Sequence, residues 1–176
     1  MNNKQNKFFH DLIAELLDIP KNKVIYSYLN NPMPTETFAT IRYSSISEEV
    51  PTESIRSNEP EFNILIGHNL LNCEIQVFAS KNLEACTMLC NLYNKLSMQN
   101  VVDRLHKANI AIVSYSNIND ISSLLNNTNF KTRASIDLTI RFTPTYLDNV
   151  GYIANVNVNV NGNTGKDLLI KINTEE

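Results

Sequence analysis

Apolar residues change their spacing along the chain, and each spacing predicts a different kind of element. Near the N-terminus they recur every three or four residues and stop at Pro20, which predicts an amphipathic helix over about 3–19. A second stripe of this kind predicts a helix over about 82–97, with Ser80 or Asn82 as its N-cap. A short helix around 101–105 follows it. The pattern therefore predicts one N-terminal helix and a central helix pair.

Alternating apolar and polar residues predict the strands. The segments with this pattern, or with a short apolar run, are 37–46, 62–66, 71–79, 110–115, 132–143 and 151–161. We expect a turn at Gly67 to join 62–66 and 71–79 as a hairpin, and a helical turn at 121–125. The strand at 151–161 is expected to be the partner of 132–143. Residues 163–176 are expected to form either an edge strand or a C-terminal arm used by a neighbouring subunit.

The stretch between Ile46 and Phe62 is polar, acidic and interrupted by proline, which predicts a long exposed loop over about 47–61. Loops of this length in compact domains are usually functional. Its carboxylates lack the spacing of a calcium-binding loop, so we interpret it as a solvated acidic loop that orders against a partner. The candidate partner-docking residues are Glu48, Glu49, Glu53, Glu59 and Glu61.

These elements predict an α+β fold: a mainly antiparallel sheet with the N-terminal helix and the central helix pair packed on one face. A length of 176 residues suits a single domain, so we expect residues 1–176 to form one. No segment reaches the ~18–20 apolar residues of a membrane span, and the first residues lack a signal-peptide core. We therefore expect a protein that stays in the cytosol where it is made, with its three cysteines reduced.

Composition narrows the possible chemistry. The net charge is −3 and no run of lysine or arginine occurs, which argues against sequence-specific DNA binding. The only glycines are at positions 67, 151, 162 and 165, so no phosphate-binding loop or nucleophile elbow can be written. The histidines His10, His68 and His106 lack metal-ligand spacing. We expect no catalytic residue, cofactor or metal. The alternative is a different class of protein, an enzymatic or small-ligand-binding α+β domain with its site around His106 or Cys73.

Two polar rows are candidate subunit contacts. Arg133, Asp137 and Arg141 fall on one side of the predicted strand, with successive charges ~13 Å apart. The strand at 151–161 carries an amide row at Asn155, Asn157 and Asn159. Each row has two interpretations, a subunit interface or the solvated face that antiparallel sheets commonly leave in water.

The C-terminal half resembles the neck and tail-terminator proteins of tailed bacteriophages. Residues 133–142 read RASIDLTIRF and residues 148–153 read DNVGYI, where that family carries an R-A-x-x-D-x-x-F-like strand and then a D-V-G-x-I step. Leu124-Leu125 fills the place of an L-x-x-L-L segment. The sequence departs from the family pattern at Thr37-Phe38, where a Pro-Tyr pair is more usual, and at Lys131-Thr132, where the family often has acidic residues.

The resemblance implies a structural virion protein that is not an enzyme. Such a subunit forms a homo-oligomeric ring, expected to be a hexamer, in the neck or at the head-proximal end of the tail. It caps the tail tube and joins it to the head-tail connector, while DNA passes the lumen without specific binding. A head-completion adaptor bound directly to the portal is the alternative within the same class.

Overall fold

The computed structural model describes residues 1–28, 34, 36–59, 61–79, 84–126, 129–151, 155–161 and 167–173. The helices in this part of the chain are α1 (Asn3–Leu16), α2 (Glu84–Leu96) and α3 (Gln99–Lys107), with a short 3-10 turn at Lys21–Lys23. The strands are β1 (Val24–Tyr26), β2 (Phe38–Arg56), β3 (Phe62–Ala79), β4 (Ile110–Tyr115), β5 (Asn119–Asp120), β6 (Ser123–Asn126), β7 (Asn129–Phe142), β8 (Thr145–Asn149), β9 (Asn155–Asn161) and β10 (Asp167–Asn173). The fold class is α+β, as predicted.

The chain divides into two compact units. The first comprises Met1–Thr52 and Gly67–Pro144, and the second Glu53–Ile66 and Thr145–Glu176. The chain passes from the first unit to the second along β2 and returns along β3. The single domain expected over residues 1–176 stays a prediction.

The sheet of the first unit is mixed and mostly antiparallel, with the order β1-β2-β3-β7-β4. Strand β1 is parallel to β2, whereas β7 is antiparallel to both β3 and β4. Strands β5 and β6 also pair with β7, so β4, β5 and β6 act as one interrupted strand beside it. The second unit contains the pairing of β8 with residues 62–66 of β3 and the separate sheet of β9 and β10.

The hydrophobic core lies between the helices and one face of the first unit's sheet. The buried stripe of α1 includes Phe9, Leu12 and Ile13, and α1 begins at a capping box in which Asn2 and Gln5 bond each other's backbone N–H groups. This stripe joins one cluster with residues of α2 and α3 and with alternate residues of β3 and β7. Helices packed on one face were predicted, and the residues with 3.6 and 2.0 periodicity are those that meet there.

The predicted loop over 47–61 is wrong in its secondary structure and right in its exposure. Strand β2 continues to Arg56 and β3 begins at Phe62, so most of the segment is β-hairpin, yet residues 46–56 are all exposed. Strand β1 pairs only with 39–41, so the rest of β2 is an edge strand in the described chain, the kind of strand in which a proline such as Pro51 is tolerated. With both faces in water, no apolar alternation reveals the strand.

The predicted turn at Gly67 is also wrong, because β3 runs unbroken through it. Opposite Gly67, residues 143 and 144 interrupt the line of β7 and β8, and the Gly67 N–H donates to the Pro144 carbonyl at 2.9 Å. A Cβ on Gly67 would lie 3.1 Å from Cγ of Pro144. Here glycine serves close approach of a neighbouring strand, not a turn.

Two further expectations are corrected near the C-terminus. Residues 123–126 form β6 instead of a helical turn, because they pair with the start of β7. Strand β9 pairs with β10 and not with β7, whose two edges are occupied by β3 and β4. Residues 167–173 are therefore a strand, while the arm role of 163–176 stays a prediction. The proposed N-caps Ser80 and Asn82 lie outside the described residues.

Candidate functional site

The predicted charged stripe lies on the face of the first unit's sheet that points away from the core. Its neighbours Ala134, Ile136 and Leu138 on β7 are buried in the core, so the alternate residues face outward. The structure places Arg133, Asp137 and Arg141 on that outer face, but in three different environments. Each environment decides whether the side chain is available to a partner.

Arg133 is engaged within its own sheet. Its guanidinium donates two hydrogen bonds to the Gln76 side-chain oxygen, one of them 3.1 Å long from Nε. Its Cζ also lies 4.9 Å from the centroid of the Phe78 ring, which stacks on Phe38 at 4.5 Å. Arg133 therefore covers a buried aromatic pair on the outer face.

Asp137 is exposed and lies directly opposite Glu74 in the β3–β7 register. Like charges directly opposite each other destabilise a sheet. Glu74 has compensation, since Gln76 donates to it at 2.6 Å and Arg42 lies 3.9 Å away. Within the described residues the Asp137 carboxylate makes no ion pair. Asp137 is therefore the member of the stripe that remains available to a partner.

Arg141 forms a bidentate ion pair with Glu49 on β2. Since β3 lies between β2 and β7, this pair reaches across a whole strand. The hydrogen bond from Arg141 holds the pKa of Glu49 below its ordinary value. The structure thus joins two residues that sequence reasoning assigned to separate sites, a subunit-contact stripe and a docking loop.

The other acidic candidates occupy β2 and the turn after it. The Glu48 carboxylate accepts a hydrogen bond from Thr52 at 3.1 Å. Glu53 is exposed on β2, while Glu59 and Glu61 are exposed in the turn that closes the β2–β3 hairpin. The turn is held by the Phe62 N–H, which donates to the Glu59 carbonyl at 3.1 Å. Glu48 and Glu49 belong to the first unit, and the other three belong to the second.

The amide row is on β9, at alternate positions of the strand. Asn155, Asn157 and Asn159 are paired in register with Asn173, Lys171 and Leu169 of β10. The row belongs to the second unit and the charged stripe to the first. A role for the amides in subunit contact stays a prediction.

Cys73 and His106, the residues considered as centres of an enzymatic or ligand-binding site, are not part of a common polar cluster. Cys73 is 1% exposed, and burial raises the pKa of its thiol, with the Asp137 and Glu74 carboxylates acting in the same direction. His106 is exposed on α3 and lines a shallow hollow of about 160 Å³ together with Ile110, Arg141 and Thr143. In the part of the chain that the structure describes, no three His, Cys, Asp or Glu side chains are grouped as metal ligands. Nor is any helix among the described residues long and apolar enough to cross a membrane.

Sequence reasoning missed a groove beside α1 and β1. It measures about 420 Å³ and is lined by Asn3, Asn6, Lys7, His10, Asp11 and Tyr26. Its walls are fixed by His10, which contacts the Val24 carbonyl at 2.8 Å, and by Lys21, which donates to Asp11 at 2.7 Å. Tyr28 stacks on Tyr26 at 5.5 Å and is 60% exposed. The closely spaced Tyr26 and Tyr28, just after the N-terminal helix, were the signal available in the sequence.

Exposed apolar side chains in the second unit were also missed. Leu147 is 72% and Tyr146 62% exposed, although both lie on β8, and Val150 just beyond the strand is 52% exposed. Adjacent residues of a strand face opposite sides, so β8 presents apolar groups on both. Since β8 pairs only with β3 among the described strands, its other edge is also unpaired.

Comparison with known proteins defines the class to which this α+β chain belongs. A family model described as phage neck terminator protein matches residues 6–166. The chain therefore belongs to the phage neck terminator protein family, a family of structural proteins of the virion neck. No curated protein matches the chain significantly. The family suspected from the strand motifs is confirmed.

Proposed function

We propose that the protein is a ring-forming subunit that caps the head-proximal end of the tail tube and joins it to the head-tail connector. Family membership across residues 6–166 carries this proposal. A structural neck role needs surfaces for neighbours more than it needs a catalytic cleft. Asp137, the exposed acidic turn and the apolar edge of β8 are such surfaces, and the amide row predicted from the sequence of β9 is a further candidate.

The ring is a homo-oligomer, for which we propose six copies. A closed ring presents different surfaces to the tail tube and to the connector, so each face can have its own partner. We further propose that DNA passes the lumen without specific binding. A net charge of −3 supports this, because an uncharged or negative lining does not hold the phosphate backbone.

Gold labelling of the protein in assembled virions tests the location. The label is expected at the junction of head and tail, and infection without the protein is expected to yield heads and tails that do not join. Label at the far end of the tail, or normal virions without the protein, would contradict the proposal.

Fractionation separates the tail-side role from the head-side alternative. Tails are purified from an infection that makes no heads, and heads from an infection that makes no tails. A tail-capping ring is expected on the isolated tails. Finding the protein only on isolated heads would replace the capping role with that of an adaptor bound to the portal.

A further inference from the structure

Three strand segments of the second unit form a small sheet with two open edges. We call this sheet the arm; it consists of residues 53–56 of β2, 62–66 of β3 and 145–149 of β8. We propose that the β8 edge of one arm pairs with the β2 edge of the arm in a second copy, so that the sheet continues from subunit to subunit. This inference rests on the proposed function, since it names the contact that closes the ring.

Neither edge of the arm has a neighbouring strand among the described residues. In the arm β3 is central, with β2 on one side and β8 on the other. The unpaired N–H and C=O groups of an edge strand are a template for another chain, and proteins usually blunt or cover such edges. Here Tyr146 and Leu147 on β8 and Ile55 on β2 are exposed apolar side chains beside those groups. We therefore expect a further strand to cover each edge.

Hydrogen bonds align the residues of the arm in rows across the three strands. The Ser57 N–H donates to the Phe62 carbonyl at 3.1 Å, and in an antiparallel pair such a bond joins directly opposed residues. The positions that follow are therefore opposed as 56 with 63 and 55 with 64. The register of β3 with β8 extends these rows to 148 and 147. The two rows are Arg56–Asn63–Asp148 and Ile55–Ile64–Leu147.

The two ends of each row complement each other. The first row has a cation at the β2 edge and an anion at the β8 edge, and neither Arg56 nor Asp148 makes an ion pair with any described residue. The second row has an exposed apolar residue, Ile55 or Leu147, at each edge. If a second arm continues the same rows, Asp148 of one copy lies beside Arg56 of the other, and Leu147 beside Ile55. Opposite charges and apolar side chains are favourable neighbours across strands.

Strand direction and edge chemistry together select a second copy in a head-to-tail arrangement. Strands β2 and β8 are both antiparallel to β3, so they run parallel to each other, and arms repeated in one orientation pair them in parallel. A symmetric contact between two β8 edges would end at a dimer and leave both β2 edges open. Repetition uses both edges of every arm, and two different surfaces that fit each other generate a ring or a filament.

Engineered cysteines test the apolar row. Cys86 and Cys90 are replaced by serine, because both have exposed surface, and Ile55→Cys and Leu147→Cys are then introduced together. Within one chain β3 separates these positions by about 10 Å, beyond the ~7 Å limit for a disulfide. Oxidation of the full chain at up to about 1 mM, the range of weak association, and of virions complemented with the variant should give a ladder of linked subunits. Either new cysteine alone should give none.

Charge reversal tests the other row. Arg56→Glu and Asp148→Lys should each weaken self-association by about three- to tenfold in sedimentation velocity, because each places like charges at the contact. The double variant restores opposite charges and should recover the association of the wild type. Lys107→Glu is the matched control, since Lys107 is exposed on α3 in the first unit. A symmetric contact between β8 edges would leave Arg56→Glu without effect.

Ile55→Cys combined with Met98→Cys is the control for cross-linking, because Met98 is exposed outside the arm and should give no ladder. If Leu147→Cys lowers the melting temperature, Arg56→Cys/Asp148→Cys takes the place of the first pair. No ladder from either pair in solution or in virions, linked dimers from a single new cysteine, or a double reversal no better than its single variants would each overturn the inference. Such a failure leaves the gold label at the head-tail junction, whereas failure of the proposed function moves the label elsewhere.

Discussion

At the scale of single residues, hydrogen bonds distinguish side chains that occupy equivalent positions in the alternating pattern of one strand. Arg133, Asp137 and Arg141 are equivalent by alternation, yet Arg133 is bonded to Gln76 and Arg141 to Glu49. Asp137 faces Glu74, its like-charged neighbour. A substitution in this stripe therefore tests assembly only at Asp137, since changes at the arginines also remove contacts within the subunit.

Asp137→Lys is expected to keep or raise stability while reducing assembly into virions. It replaces repulsion from Glu74 with attraction, so thermal melting should not fall. The control is Asp103→Lys, because Asp103 is exposed on α3 and accepts a hydrogen bond from Gln99. Complementation of a phage lacking the protein measures assembly. Normal infectivity with Asp137→Lys would remove this residue from any essential interface.

Charge reversal at the Glu49–Arg141 pair is expected to lower the melting temperature. Arg141→Glu sets two carboxylates side by side, and Glu49→Arg sets two guanidinium groups together. The double reversal restores an attractive pair and should recover most of the loss, as a double-mutant cycle by thermal melting will show. A double variant no more stable than its singles would mean that the pair contributes little in solution.

At the scale of elements, strand continuity decides the shape of the hairpin. Residues 48–56 belong to β2, so a deletion of 48–59 would remove half of a strand and is expected to disrupt the subunit fold. The corresponding break in the sheet is at residues 143–144, opposite Gly67. Gly67 on β3 and Pro144 in the break between β7 and β8 are therefore direct neighbours across the sheet.

Gly67→Ala is expected to destabilise the protein by about 1–3 kcal/mol, because its Cβ crowds the Pro144 ring. In a Pro144→Ala background the same change should cost little or be favourable, since strand glycine otherwise carries an entropic cost. Urea unfolding of the four proteins measures the coupling between the two positions. Equal costs in both backgrounds would show that the close approach of the two residues has no energetic effect.

At the scale of the whole molecule, ion pairs between elements make stability depend on acidity. The Arg104 guanidinium, bonded to Glu15, holds the pKa of that carboxyl below its ordinary value and ties α3 to α1. Hydrogen bonds from Lys21 and Arg141 lower the pKa of Asp11 and Glu49. Lowered values mean that these contributions are complete above the ordinary carboxyl pKa and are lost as the pH falls through the folded-state values.

The free energy of unfolding should therefore fall as the pH is lowered below the ordinary carboxyl range. Glu15→Gln should cost about 0.2–1 kcal/mol at pH 7, because Glu15 is largely exposed and solvent weakens the pair. The difference between the variant and wild type should vanish in strong acid, where the wild-type carboxyl is protonated. Urea unfolding measured across this pH range would contradict the assignment if the difference stayed constant.

The sequence alone determined the class of the fold, the helices, the central strands and the family. Phe9, Leu89 and Ile136 mark their elements because burial on one face imposes a period on the chain, and that period is local information. The family followed from the order of strand motifs around residues 133–153. The acidic turn was also recognised as exposed, because charge without apolar alternation predicts solvent contact.

The tertiary structure decided which strands pair, which charges are already bonded, and where a groove lies. The pairing of Glu49 with Arg141 joins positions 92 residues apart, and the groove unites α1 with β1 across a turn. Nor does alternation reveal the outer part of β2, since both of its faces are in water. Local periodicity reports only whether one face of an element is buried. The partners of a residue across a sheet depend on the register between strands that are distant in the sequence, and no short stretch of sequence contains that register.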